Sequence, residues 1–134
     1  SLSFGYSYND AEPETGKKSF DPYPPHSISL QTTYSIPEGF FKDITLGTGY
    51  RYKDGYDGTM RGEYVSPDYY FDDIHVFDLS VQAPMSKFGL SEDWTLRVSV
   101  KNVFDEDYFE SNRHYYQCFT GEPRTVEIAL RGRF

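Results

Sequence analysis

The stretch Trp94-Thr95-Leu96-Arg97-Val98-Ser99-Val100-Lys101 alternates apolar and polar residues without a break. The last run of the chain, Thr125-Val126-Glu127-Ile128-Ala129-Leu130-Arg131-Gly132-Arg133-Phe134, follows the same rule with one interruption at Gly132. Successive side chains of a strand point to opposite faces, so Trp94, Leu96, Val98 and Val100 share one side and Thr95, Arg97, Ser99 and Lys101 the other. In the final run Val126, Ile128, Leu130 and Phe134 oppose Thr125, Glu127, Ala129, Arg131 and Arg133. Two strands are predicted, each half apolar and half polar, joined by a long polar segment.

The same period recurs upstream. Leu2, Phe4, Tyr6 and Tyr8 oppose Ser1, Ser3, Gly5 and Ser7, which predicts a first strand over 1–8. Residues 9–26 carry Asp10, Glu12, Pro13, Glu14, Gly16, Asp21, Pro22, Pro24 and Pro25, a composition that breaks helix and sheet alike. A second strand is predicted over 27–36, ending at the turn signal Pro37-Glu38-Gly39, and a third over about 43–53. A Gly-, Asp- and Tyr-rich loop runs to about 73, and a fourth strand over 74–83 closes at Pro84. No apolar period of 3.6 residues persists anywhere, so the fold class read here is all-β and antiparallel.

Connections between these six strands run long, short, long, intermediate, long. Short turns at one end and long loops at the other are the plan of an outer-membrane β-barrel. The polar faces carry small residues, Ser, Thr, Gly and Gln, with Arg among them, which suits a wet lumen better than the outer surface of a sandwich. Tyr6, Tyr8, Tyr50, Tyr52, Trp94 and Phe134 fall near strand ends, where aromatic girdles meet a membrane interface. Six strands cannot close a wide barrel, and open edges in lipid would strand backbone N–H and C=O groups without partners. The chain is therefore expected to be part of a larger wall, and its start at Ser1, already in strand-like alternation, reads as a cut from a longer polypeptide.

Composition bounds the alternatives. The chain has 134 residues, 37% hydrophobic and 19% aromatic, enough apolar material for one ordered unit. No run approaches the roughly 18 apolar residues of a spanning helix. The formal net charge of -8 argues against nucleic acid as a partner, since phosphate binding needs a concentrated basic face. A single cysteine, Cys118, cannot form a disulfide within the chain; it stays free or pairs outside it.

One tract carries a more specific signature. Asn102-Val103-Phe104-Asp105-Glu106-Asp107-Tyr108, then Gly121-Glu122-Pro123-Arg124-Thr125 and a last alternating strand ending in Phe134, resembles the C-terminal end of TonB-dependent outer-membrane receptors of the siderophore type. In that family an Asn-Leu-Phe-Asp-x-x-Tyr element ends the penultimate strand and a Gly-x-Pro-Arg element opens the last. The resemblance implies that residues 1–134 are the C-terminal part of a receptor barrel of about 22 strands with a plugged lumen, the plug and N-terminal strands lying outside the sequence. It implies a place in the outer membrane of a Gram-negative bacterium and uptake of a ferric siderophore or similar iron chelate. Its implied partners are the rest of the barrel and plug, membrane lipid and lipopolysaccharide, the TonB complex through the missing N-terminal part, and the barrel assembly machinery, which reads the terminal aromatic. Gly132 and Ala129 depart from the family's tail, in which an apolar or aromatic residue and a Gly are common, and a weaker assembly signal is expected.

The motif residues also have physical roles of their own. Asn102 and Asp105 can bond backbone amides where a strand ends, and Phe104 and Tyr108 can anchor the loop base. Pro123 suits the first position of a strand, and Arg124 can pair with a neighbouring carboxylate. Tyr69, Tyr70, Phe71, Tyr115 and Tyr116 lie in long loops, either as loop packing or as an aromatic rim on which a planar chelate stacks. His114 and Cys118, near Asp105, Asp107 and Glu110, repeat at no zinc spacing, so neither a metal site nor a cofactor is read here. No GxSxG element exists, and Asp72, Asp73 and His75 fall in no recognisable catalytic arrangement, so no enzyme is expected. The remaining alternatives are a receptor of the same fold for haem, cobalamin or glycan, a barrel enzyme, or a soluble all-β binding domain.

Overall fold

The computed structural model describes residues 1–8, 24–58, 69–91, 93–111 and 118–132. Its frame is one antiparallel sheet of six strands: β1 (Leu2–Tyr8), β2 (His26–Ser35), β3 (Thr45–Lys53), β6 (Ile74–Pro84), β7 (Trp94–Lys101) and β10 (Thr125–Gly132). They lie side by side in chain order, each paired with the next, as a meander of hairpins. The alternation in the sequence produces this order, because antiparallel neighbours need only a turn between them.

Strand ends move by one or two residues from the sequence expectation. Pro84 belongs to β6, at its last position, where a missing N–H costs the ladder little. Two loops predicted without structure hold short ribbons: β4 (Tyr56–Gly58) pairs with β5 (Tyr69–Phe71), and β8 (Phe109–Ser111) with β9 (Cys118–Thr120). Both ribbons rise from the long-loop end of the sheet.

The short connections meet at the opposite end. Between β2 and β3, Ile36 N–H donates to Ile44 O at 2.9 Å and Asp43 N–H to Ile36 O at 2.9 Å, with Gly39 and Asp43 in the left-handed region. Between β6 and β7 a single 3-10 turn, Met85–Phe88, is closed by Gly89 at φ +78, where a side chain would strain the backbone. Lys87 Nζ donates to Phe40 O at 3.1 Å, tying the two turns together.

Register assigns every residue to a face. Phe4, Leu30, Tyr50 and Phe77 form one cross-strand row, and Tyr34, Leu46, Val81, Val98 and Ile128 another. Ser3, Gln31, Gly49 and Asp78 align on the second face, as do Gln82, Arg97 and Ala129. Among the described residues the buried apolar side chains are only Ile74, Val76 and Ala83, while Ile128 is 72% and Leu2 71% exposed. A single layer with a whole apolar face uncovered has no core of its own. Its stability depends on an apolar medium against that face and on strands beyond β1 and β10.

Candidate functional site

The apolar face is a membrane wall in outline. At the long-loop end lie two aromatic groups, Tyr6, Tyr8 and His26 on β1 and β2, and Tyr50, Tyr52, His75, Phe77 and Phe104 from β3 to the end of β7. His26 Nδ1 hydrogen-bonds Tyr6 Oη at 2.9 Å, and Tyr8 lies 5.0 Å from its ring. Two strands over, the unit repeats: His75 Nδ1 hydrogen-bonds Tyr50 Oη at 3.0 Å, and Tyr52 lies 4.9 Å from the His75 ring. Tyr52 Oη also donates to Asp54, and Phe104 meets Phe77 edge-on at 5.3 Å. At the short-turn end stand Tyr34, the edge-on pair Phe40 and Phe41, and Phe88, all exposed, with Trp94 beside them.

Between these groups lie Leu30, Leu46, Leu79, Val81, Leu96, Val98, Val100, Ile128 and Leu130. From His75 to Ala83 the strand rises roughly 26 Å at about 3.3 Å per residue. At a strand tilt of about 35–45° that spans roughly 18–21 Å, the greater part of an apolar band of about 25 Å. The polar tips of Tyr and His sit where such a band meets water.

The strand-end motif folds into one knot. Asn102, 2% exposed, takes φ +50, a conformation Asn tolerates because its short side chain bonds locally. Its Nδ2 donates to Glu106 O at 2.9 Å and to Glu122 O at 3.1 Å, and its Oδ1 accepts Glu106 N–H at 2.9 Å. Its own N–H donates to Asp78 Oδ1 at 3.0 Å, and Val103 N–H to Phe77 O at 2.8 Å, so the chain leaving β7 stays bonded to β6. Asp105, at φ +58, accepts Arg124 N–H at 3.0 Å through Oδ1, and its Oδ2 accepts from the Arg124 guanidinium at 3.3 Å. Gly121 N–H donates to Tyr108 O at 2.7 Å, and the Tyr108 ring covers Gly121. Pro123 stands two residues before β10, where its carbonyl accepts the Thr125 hydroxyl at 3.0 Å. The knot thus brings together Asn102, Asp105, Tyr108, Gly121, Pro123 and Arg124, while Phe104 leans out onto the apolar face.

Asp78 was not singled out in the sequence, yet it joins three elements. It accepts from Asn102, pairs with the Arg51 guanidinium at 3.5 Å and packs its Cβ over Gly49. The signal was available: an acidic residue on a face of small residues, in the strand next to Gly47-Thr48-Gly49. Tyr69, Tyr70 and Phe71 form β5, one strand of the first ribbon, and Cys118 opens β9. Tyr115, Tyr116, His114 and Phe134 lie outside the described residues. His75 is engaged with tyrosines on the apolar face, while Asp73 Oδ1 accepts Gly55 N–H at 2.7 Å, so these two serve separate contacts.

Residues 1–103 match the family described as TonB dependent receptor-like, beta-barrel. The chain belongs to that family. It is 31% identical over 133 residues to the ferrichrome outer membrane transporter/phage receptor of Escherichia coli K12, covering 96% of this chain and 17% of that protein. To the ferripyoverdine receptor of Pseudomonas aeruginosa it is 26% identical over 130 residues, covering 97% of this chain and 16% of the relative. The pyoverdine outer membrane receptor of Pseudomonas aeruginosa PAO1, solved bound to pyoverdine, superposes with a TM-score of 0.82 at 24% identity, over 99% of this chain and 19% of that one. The chain therefore spans about a sixth of the length of the curated relatives it matches. As a segment of a TonB-dependent receptor barrel, the open six-stranded sheet has its explanation: its edge strands lack the neighbours that the rest of a barrel supplies.

Proposed function

We propose that this chain is the C-terminal wall of a gated TonB-dependent transporter in the outer membrane of a Gram-negative bacterium, and that the whole receptor takes up a ferric siderophore or a similar iron chelate. One observation carries the reading: a single sheet exposes an apolar band between aromatic groups at its two ends and turns a polar face of small residues inward. The iron chelates in the names of similar proteins support the choice of cargo.

In this reading the loops after β1, β3 and β7 face outward and contribute to capture. Tyr69, Tyr70, Phe71, Tyr115 and Tyr116 present aromatic faces to the chelate, and the acidic loops are solvated or meet cation-bridged lipopolysaccharide. The TonB complex acts through the N-terminal part of the receptor, and the assembly machinery reads Phe134. In this reading the iron chelate is cargo, and no residue of the chain is assigned a catalytic role.

The experiment is uptake of a labelled ferric chelate by energised cells, with and without the full-length gene. Loss of uptake on deletion, restored by the gene and abolished when the inner-membrane energy source is removed, supports the proposal. Undiminished uptake in a strain lacking other receptors sinks it. Uptake of haem, cobalamin or a glycan in place of the ferric chelate reassigns the cargo while keeping the fold.

A further inference from the structure

The strands supply the greater part of an apolar band, and two turns extend it at the short-turn end. The turn between β2 and β3 carries Phe40, 87% exposed, with Phe41 edge-on to it at 5.1 Å. The connection between β6 and β7 carries Phe88 and Leu90, both exposed. Lys87 Nζ donates to Phe40 O at 3.1 Å, so the two turns stand as one patch. Charges of both signs stand among these apolar side chains. Glu38, Lys42 and Asp43 belong to the first turn and Lys87 to the second, all exposed. Among the described residues none of the four forms an ion pair. The Lys87 ammonium has three donors and places one on Phe40, leaving two. Asp93, beyond the second turn, is engaged through Oδ2, which accepts from Ser91 Oγ at 2.9 Å.

We propose that these two turns form a headgroup site for one phosphoethanolamine phospholipid of the leaflet at the short-turn end. The proposal rests on the barrel reading above. Lys42 and Lys87 hold the lipid phosphate, and Glu38 and Asp43 accept from its primary ammonium. Phe40, Phe41, Phe88 and Leu90 lie along the glycerol and the first methylenes, where their apolar area leaves water. The charges choose the occupant. A purely basic patch selects an anionic lipid, and a purely aromatic belt takes every headgroup alike. Two cations and two carboxylates on one pair of turns match a headgroup that carries one charge of each sign. A primary ammonium offers three N–H donors to carboxylates, as a lysine does, and a trimethylated one offers none. Because Lys87 is bonded to Phe40, the site needs both turns, and the bound lipid staples the hairpin β2–β3 to the hairpin β6–β7.

The test uses the full-length receptor in detergent, stripped of lipid, with the heat-modifiable folded form as the measure of assembly. Phosphatidylethanolamine, phosphatidylcholine and phosphatidylglycerol of the same acyl chains are added in graded amounts, and native mass spectrometry reads the lipid retained. The unaltered receptor keeps phosphatidylethanolamine about tenfold more tightly than either of the others, the effect of about one charge-assisted hydrogen bond. Glu38→Gln/Asp43→Asn removes that preference and leaves phosphatidylcholine retention as it was. Lys42→Gln/Lys87→Gln weakens both lipids, since both present the phosphate, and Phe40→Ser/Phe88→Ser weakens all three. If a double variant does not assemble, Glu38→Gln and Lys87→Gln are read singly in the same way. Equal retention of the three lipids by the unaltered receptor overturns the proposal and leaves an aromatic belt without a headgroup site. A preference for phosphatidylglycerol overturns it as well, and so does a phosphatidylethanolamine preference that both charge variants keep. No chelate enters the measurement, so failure of the uptake reading is seen separately from failure of this site.

Discussion

The ring of Tyr108 lies over Gly121 so closely that a Cβ at position 121 would collide with the ring carbons, while Gly121 N–H donates to Tyr108 O at 2.7 Å. The two residues come from opposite ends of the last long loop and close it at its base. The glycine is required there for close approach, since its φ is an ordinary one.

Gly121→Ala is therefore expected to displace the Tyr108 ring and open the base of the loop. Overpacking of this kind costs about 1–3 kcal/mol. The urea midpoint of the full-length barrel in micelles measures it, and Tyr108→Ala should restore most of the loss in the double variant. An unchanged midpoint for Gly121→Ala would mean that the loop closes in another way.

Asn102 gives a graded prediction. Its buried amide satisfies two carbonyls and one N–H, and each unsatisfied buried group costs about 1–3 kcal/mol. Asn102→Ala leaves all three unsatisfied. Asn102→Asp is worse, because it removes both donors and turns a charge against the Glu106 and Glu122 carbonyls. Asp78→Asn is mildest: an amide oxygen can still accept the Asn102 N–H, and the lost pair with Arg51 is partly exposed and contributes about 0–1 kcal/mol. Unfolding midpoints in the order Asp78→Asn, Asn102→Ala, Asn102→Asp, from highest to lowest, are expected, and a reversed order would remove Asn102 from the centre of the knot.

How much of this could be read beforehand follows from range along the chain. Face assignment in all six long strands was legible, because a period of two is a property of neighbouring residues. The alternation of short and long connections was legible from Pro, Gly and Asp content. Asn102 and Asp105 were readable as strand-end residues, but their partners Glu122 and Arg124 lie about twenty residues away and Asp78 lies in the strand before, 24 residues back. Only the folded ladder brings these together. The two ribbons were missed because Tyr56–Gly58 and Cys118–Thr120 carry no alternation of their own; they extend pairings that begin in the sheet.

The wall reading predicts a strong asymmetry between adjacent residues. Val98 lies mid-strand on the apolar face, in the row from Leu46 to Ile128, and Ser99 faces inward beside Ser80 and Glu127. In a folded receptor in lipid, Val98→Arg should cost about 2–4 kcal/mol, the depth-dependent penalty of a cation facing the bilayer centre. Ser99→Arg should cost far less, since its charge enters a wet face with Glu127 opposite. Refolding into liposomes across a denaturant series measures both, and equal penalties would mean that the faces are assigned wrongly.

The last relationship concerns Gly132, which interrupts the apolar face of the final strand. Gly132 is paired in register with Trp94, and a Cβ there would lie 3.0 Å from the indole ring. The tryptophan thus covers the space that a side chain at 132 would occupy, an arrangement in which an aromatic shields a strand glycine. The departure from the family's tail is compensated across the strand pair. Gly132→Phe should destabilise the unaltered receptor, because the indole must be displaced, and should be tolerated in Trp94→Ala, where the ring's space is free. A double-mutant cycle on unfolding midpoints should give a coupling of about 0.5–3 kcal/mol, as for residues in direct contact. Additive effects would show that the indole and the glycine act independently, and that the gap in the alternation at 132 is uncompensated.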